Sequence, residues 1–145
     1  MDKYDCLKLK NQLCFPLYAC SKEIVRQYKP FLDEIDLTYT QYITMMALWE
    51  NDNCNVKNLG ECLYLDSGTL TPVLKKLEAK GYVKRVRSEE DERNIKVTLT
   101  DEGKALKEEA VKVPEKMGGC LKLDKEEALQ LYTLLKKVLA DITTR

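Results

Sequence analysis

The chain has 145 residues, a third of them charged and 44% hydrophobic, with no net charge. That balance fits one folded domain with a real core and excludes a disordered chain, and no apolar run reaches the ~20 residues of a membrane span. Asp2, Lys3, Asp5 and Lys8 interrupt any apolar leader, so no secretory signal is expected and the cytoplasm is the expected compartment.

The zero net charge hides an asymmetry. Ser67 to Arg87 carries six basic residues and one acidic residue, a local +5 that the remainder must cancel. Such clustering focuses a positive field on one surface, as nucleic-acid binding requires. Six cysteines and no histidine are present. Their spacing matches no zinc module, and without histidine neither a Cys-His nucleophile nor a His-containing metal site can form, so no metal or cofactor is expected. In a reducing cytoplasm a structural disulfide framework is not expected either.

In chain order, residues 7–29 read as a long helix with Leu9, Leu13, Leu17, Ile24, Val25 and Tyr28 among its apolar positions. Pro16 falls inside the pattern, so either the helix starts only a few residues earlier or it bends there. Lys29-Pro30 reads as its end, because a residue before proline disfavours the helical region; Phe31 to Ile35 reads as one further turn. Thr38 with Gln41 has capping-box spacing and opens a second helix through Glu50, apolar nearly all round and therefore central. Asn51-Asp52-Asn53 is a turn, and Asn55 caps a short helix from Val56 to Leu63.

Asp66 then caps a helix whose Leu70, Leu74 and Leu77 share one face, and Gly81 ends it. Its other face carries Ser67, Thr69, Thr71, Lys75 and Lys76. Two short helices with a tight connection and a polar-faced second member make a helix-turn-helix, and one helix fits the DNA major groove. Tyr82 to Arg87 and Ile95 to Leu99 alternate apolar and polar residues around a polar turn, a β-hairpin that forms the wing of a winged helix. Thr100-Asp101-Glu102 caps a helix through about residue 113, with Pro114 and Gly118-Gly119 as interruptions. Asp124 and Glu127 open the last helix, striped by Leu131, Leu134, Leu135, Val138 and Ile142. Both ends of the chain thus carry apolar stripes too large for a small winged domain to cover, and a homodimer is the simplest cover.

The expected fold is therefore mainly α with a small β-hairpin wing. Asp91-Glu92-Arg93-Asn94 followed by Val97 to Gly103, with Asn11 to Phe15, Leu37 to Tyr42 and Leu63 to Pro72, resembles the MarR family of transcriptional regulators. Within it the resemblance is closest to the organic-hydroperoxide-resistance regulators. It implies one winged-helix domain over 1–145, with dimerisation helices at about 1–30 and 101–145 and a DNA-binding unit at about 37–100. It also implies a repressor whose homodimer binds an inverted-repeat operator in double-stranded DNA and leaves it when an organic hydroperoxide oxidises one cysteine. That cysteine aligns with Cys14, and phenols aligning with Tyr28 and Tyr39 reach it from the partner subunit. Cys120 falls where some members carry a cysteine that resolves the sulfenic acid across the dimer. Pro72 is a normal feature of this subfamily, whereas Pro16 departs from it.

The residues weigh these roles differently. Cys14 alone, on an apolar helix, reads as a packed core thiol, the commoner fate of a free cysteine, and the resemblance turns the reading to a peroxidatic thiol. Two phenol donors would favour a thiolate without histidine, and oxidation would give a sulfenic acid that a second thiol traps. Cys120 is otherwise an ordinary loop cysteine. Cys20 lies ~9 Å along the same helix from Cys14, beyond the ~7 Å between Cα atoms that a disulfide allows. On the DNA side, Ser67, Thr69, Thr71, Lys75 and Lys76 are expected in the major groove. Lys84, Arg85 and Arg87 are expected at phosphates, and Arg93 in the minor groove with Asp91 orienting it. One rival keeps the fold but senses a phenolic ligand or another oxidant, with Cys14 structural. A thiol peroxidase is the rival from another class, and a wing with a recognition helix has no purpose in it.

Overall fold

Two 3-10 turns, Asp5–Leu7 and Leu9–Asn11, lead into helix α1, Cys14–Asp33. The computed structural model describes residues 1–91 and 94–143. Because α1 starts at Cys14, Pro16 lies in its first turn, where the missing N–H has no helical partner to lose. Pro30, read from the sequence as a terminator, sits inside α1 instead. The reason is tertiary: the turn beyond it places Leu32, 2% exposed, in the core and packs Phe31 against it. Burial of those side chains offsets the one backbone bond that proline removes.

A corner at Asp36, with φ of 53°, turns the chain into helix α2, Tyr39–Glu50. Its capping box is complete: the Thr38 hydroxyl accepts the Gln41 amide at 3.3 Å and the Gln41 side chain accepts the Thr38 amide at 3.0 Å. Tyr42, Met45 and Leu48 are buried, so α2 is the central helix, although Met46 opens one edge of it to the surface. Strand β1, Cys54–Asn55, was not foreseen. Two residues are too few to show alternation, and only their pairing with a distant strand defines them.

Asn55 caps helix α3, Val56–Leu63, and Asp66 caps helix α4, Ser67–Ala79. The turn between them is tight because Tyr64 takes a left-handed conformation and the Leu65 amide bonds the Gly60 carbonyl. A Cβ at Gly60 would stand 2.7 Å from the Leu65 carbonyl oxygen, so only glycine lets helix and turn meet. Leu70, Val73, Leu74 and Leu77 of α4 are buried, as the leucine spacing predicts, and α4 runs unbroken through the exposed Pro72. Gly81, at φ of 84°, follows.

Strands β2, Val83–Arg87, and β3, Ile95–Leu99, pair antiparallel with Val83 opposite Leu99 and Arg87 opposite Ile95. With β1 they make a three-stranded sheet in the order β1-β3-β2. The helix expected from Asp101 to about 113 occurs as three short segments: α5, Asp101–Ala105, α6, Lys107–Ala110, and α7, Lys112–Met117. Leu106 and Val111 between them keep helical angles, and the run continues past Pro114, which lies inside α7 and does not interrupt it. Leu106, Ala110 and Val113 hold this run on the core, and Met117, buried beyond Pro114, shows burial again outweighing proline.

The last helix, α8, Lys125–Thr143, opens with a reciprocal pair in which the Asp124 carboxylate accepts the Glu127 amide and the Glu127 carboxylate accepts the Asp124 amide. None of its residues is buried. Among the described residues, no helix is long and apolar enough to cross a membrane.

Trp49 anchors α2 to α5 by donating to the Gly103 carbonyl at 2.9 Å. A Cβ at Gly103 would lie 2.1 Å from the Tyr82 carbonyl oxygen. Gly103→Ala is therefore expected to destabilise the protein by roughly 1–3 kcal/mol, as overpacking does. Urea denaturation followed by circular dichroism measures this; an unchanged midpoint would show that the contact is not tight.

Candidate functional site

Two groups of residues carry chemistry: a thiol with a set of phenols, and the surface of α4 with the wing. Cys14 is the first residue of α1, which begins with no side-chain cap. The positive end of the helix dipole therefore lies at this thiol. Its surroundings are apolar and uncovered: Leu13 is 79% and Tyr18 61% exposed, and Phe15 and Leu17 are open as well.

Tyr28 lies further along the same helix. Its ring centroid is 5.0 Å from that of Tyr39 and 5.8 Å from that of Tyr42. Tyr42 was not singled out from the sequence; the Tyr39-x-x-Tyr42 spacing, which puts both rings on one face of α2, was the signal for it. Burial pushes all three hydroxyls above their ordinary value, and the Tyr28 phenol adds to the effect at Tyr39 and Tyr42. The cluster therefore stays protonated, and its phenols remain hydrogen-bond donors.

The chain does not bring thiol and phenols together. Cys14 and Tyr28 are fourteen positions apart on one continuous helix. At 1.5 Å per residue that is roughly 21 Å, far beyond a hydrogen bond. Beside the phenols, α1 and the start of α2 border a cleft of about 610 Å³ lined by Lys22, Val25, Arg26, Lys29, Leu37 and Tyr39. Cys120 is half-buried in the connection between α7 and α8, its amide bonded to the Met117 carbonyl. Burial pushes the Cys54 thiol up, which makes it a poor nucleophile. Among the described residues, no group of three or more potential ligands could hold a metal ion.

In the second group, Ser67, Thr69, Lys75 and Lys76 stand exposed on α4 and Thr71 is half-buried. The Asp66 carboxylate accepts the Thr69 amide at 2.7 Å, and that bond holds its carboxyl below the usual range. Asp66 thereby fixes the first turn that presents Ser67 and Thr69. Lys84 and Arg87 are exposed on β2. Arg85, expected at phosphate, is engaged otherwise. Its guanidinium reaches Glu78 of α4 at 3.0 and 3.3 Å, and its amide donates to the other Glu78 oxygen at 3.0 Å. It acts as a strut between recognition helix and wing, a role that the sequence reading missed because it depends on how β2 folds back over α4. Asp91 is exposed at the hairpin turn, its carbonyl accepting the Asn94 amide, while Arg93 lies outside the described residues.

Arg85 beside Glu78 holds the Glu78 carboxyl below its ordinary value. A depressed acid stabilises the fold above its unfolded pKa of about 4.3, and that contribution is lost as pH falls through the folded value. The pair is partly open to solvent, so the contribution is small. An NMR titration is expected to place the Glu78 midpoint below that of an ordinary glutamate, and Arg85→Ala, which keeps the backbone bond, to raise it part of the way back. Equal midpoints in the two proteins would remove the strut.

Comparison with known proteins agrees with this architecture. The family described as transcriptional regulator SarA/Rot matches residues 26–110. The organic hydroperoxide resistance transcriptional regulator of Bacillus subtilis (strain 168) is 51% identical over 139 residues, 93% of this chain and 95% of the relative. Reduced AbfR bound to DNA superposes with a TM-score of 0.83 at 32% identity, over 99% of this chain and 98% of that one. Disulfide-formed AbfR superposes with a TM-score of 0.67 at 35% identity, over 97% and 96%; AbfR comes from Staphylococcus epidermidis.

Proposed function

The chain belongs to the SarA/Rot family of transcriptional regulators, and from that premise we propose that it is a repressor which senses organic hydroperoxides through Cys14 and then releases its operator. It is a winged-helix DNA-binding regulator of MarR type and not an enzyme, as its similarity to named regulators over nearly its whole length requires. The cytoplasm is its proposed compartment.

One observation carries the sensing role. Cys14 and Tyr28, which anchors the phenol cluster, sit on one rigid helix roughly 21 Å apart, and the apolar residues beside Cys14 and the apolar stripe of α8 are bare within a single chain. A second copy packed antiparallel on these stripes covers them and places the partner's Tyr28 and Tyr39 against Cys14. The end segments, about 1–30 and 101–145, then form the dimer, and about 37–100 the DNA-binding unit.

The protonated phenols donate hydrogen bonds to the Cys14 sulfur and favour its thiolate. The thiolate attacks one peroxide oxygen. An S–O bond forms, the O–O bond breaks, and the alkoxide leaves as alcohol after taking a proton. The sulfenic acid is then attacked by the thiol of Cys120: the S–S bond forms and water leaves. The solved disulfide form of AbfR supports this last step, and the closer superposition on its reduced, DNA-bound form supports reading the present conformation as competent for operator binding. On DNA, Ser67, Thr69, Thr71, Lys75 and Lys76 face the major groove, Lys84 and Arg87 meet phosphates, and the proposed minor-groove contact is Arg93, with Asp91 orienting it.

Cys14→Ser is expected to bind operator like the wild type in a gel shift but to keep it after treatment with cumene hydroperoxide; release by the variant would show that the sensor lies elsewhere. Cys120→Ser is expected to abolish the disulfide-linked dimer on a non-reducing gel of oxidised protein. A persisting dimer band would assign resolution to another thiol.

A further inference from the structure

Lys80, which follows the last residue of α4, reaches back to the corner between α1 and α2. Its ammonium donates to the Asp36 carbonyl and to Oε1 of Gln41 at 3.3 Å, and stands 3.4 Å from the Asp36 carboxylate. Each partner is unusual. Asp36 holds the positive φ of the corner, a conformation that a residue with a side chain adopts only at a cost. Gln41, 3% exposed, is one of two buried polar residues among the described residues. The same Gln41 oxygen accepts the Thr38 amide that closes the capping box of α2. Tyr39, the phenol assigned to the sensor, is the first residue of α2 and lies between those two capping residues. A single cation at the end of the recognition helix therefore grips the segment that carries the phenol.

We infer that Lys80 is the positioning residue that couples the sensor to the DNA reader, by holding the Asp36–Gln41 corner to the end of α4; this rests on the sensing role of Cys14 proposed above. Buried apolar side chains of both helices, Met45 and Leu48 of α2 and Leu70 and Leu74 of α4, share the core where the two helices meet. Apolar contact is non-directional and tolerates a small slide, whereas hydrogen bonds weaken steeply once their distance or angle is lost. When an oxidised Cys14 displaces the partner's Tyr39, the first turn of α2 moves and the Gln41 oxygen moves with it. The directed contacts from Lys80 then draw on the end of α4, and the two recognition helices lose the separation that the operator demands.

The test compares Lys80→Met, Lys80→Arg, Cys14→Ser and the wild type as full-length dimers. Fluorescence anisotropy gives the operator Kd before and after cumene hydroperoxide, and mass spectrometry gives the extent of Cys14 oxidation. The ratio of oxidised to reduced Kd is expected to fall at least about fivefold in Lys80→Met, within the usual range of coupling between sites. Cys14 should oxidise as fast as in the wild type, and Lys80→Arg should restore the ratio. A thermal melt confirms that Lys80→Met is folded, and Lys80→Gln replaces it if it is not. A ratio unchanged in Lys80→Met overturns the coupling, and so does a fall that Lys80→Arg fails to rescue. Failure of the sensing role itself is distinguishable, because it appears without any change at Lys80: the wild type keeps its operator after oxidation, or Cys14→Ser releases it. Either result takes the coupling down as well.

Discussion

A continuous α-helix cannot fold back on itself, and α1 carries Cys14 at its first residue and Tyr28 most of the way along. Every larger feature of the proposed switch follows from that rigidity. Thiol and phenols meet only if a second chain supplies the missing half, so sensing and dimerisation become one event. The bare apolar residues beside Cys14 and the wholly unburied α8 need the same second chain on hydrophobic grounds. Two independent demands, one chemical and one from solvation, point to the same symmetric contact.

The DNA-reading half is built from local decisions of a different kind. Asp66 fixes the first turn of α4, Gly60 admits the turn before it, and four apolar side chains seat the helix on the core. Glu78 and Arg85 then tie the wing to the helix. The reader is thus a stiff body whose own shape has little freedom. What an oxidant can change is its position relative to a second copy, and the contacts at the α1–α2 corner are where such a change would enter.

Much of the fold was legible because the signals are local. The caps at Thr38, Asn55, Asp66, Thr100 and Asp124 all form as their spacing predicts, because a cap joins residues only three positions apart. The hairpin and Gly81 were read for the same reason. The misreadings share a different cause. Local sterics disfavour helix at Pro30 and Pro114, yet Leu32 and Met117, each beyond its proline, draw both helices onward into the core. Strand β1 exists only because β3 lies beside it. At the site, the amino-acid pattern and the family resemblance singled out Cys14, Tyr28 and Tyr39 but missed Tyr42, and they assigned Arg85 to phosphate although its carboxylate partner is seven positions away in an adjoining element.

The sequence by itself determined the order of elements, the polar face of the recognition helix and the apolar stripes that call for a partner. These depend on periodicity and capping, which act over a few residues. Only the tertiary structure decided that three phenols share one cluster, that Arg85 serves the wing and that Lys80 grips the corner at Asp36 and Gln41. Those contacts join residues far apart in the chain. Their partners are set by how the packed core orients whole helices, a quantity that no short stretch of sequence encodes.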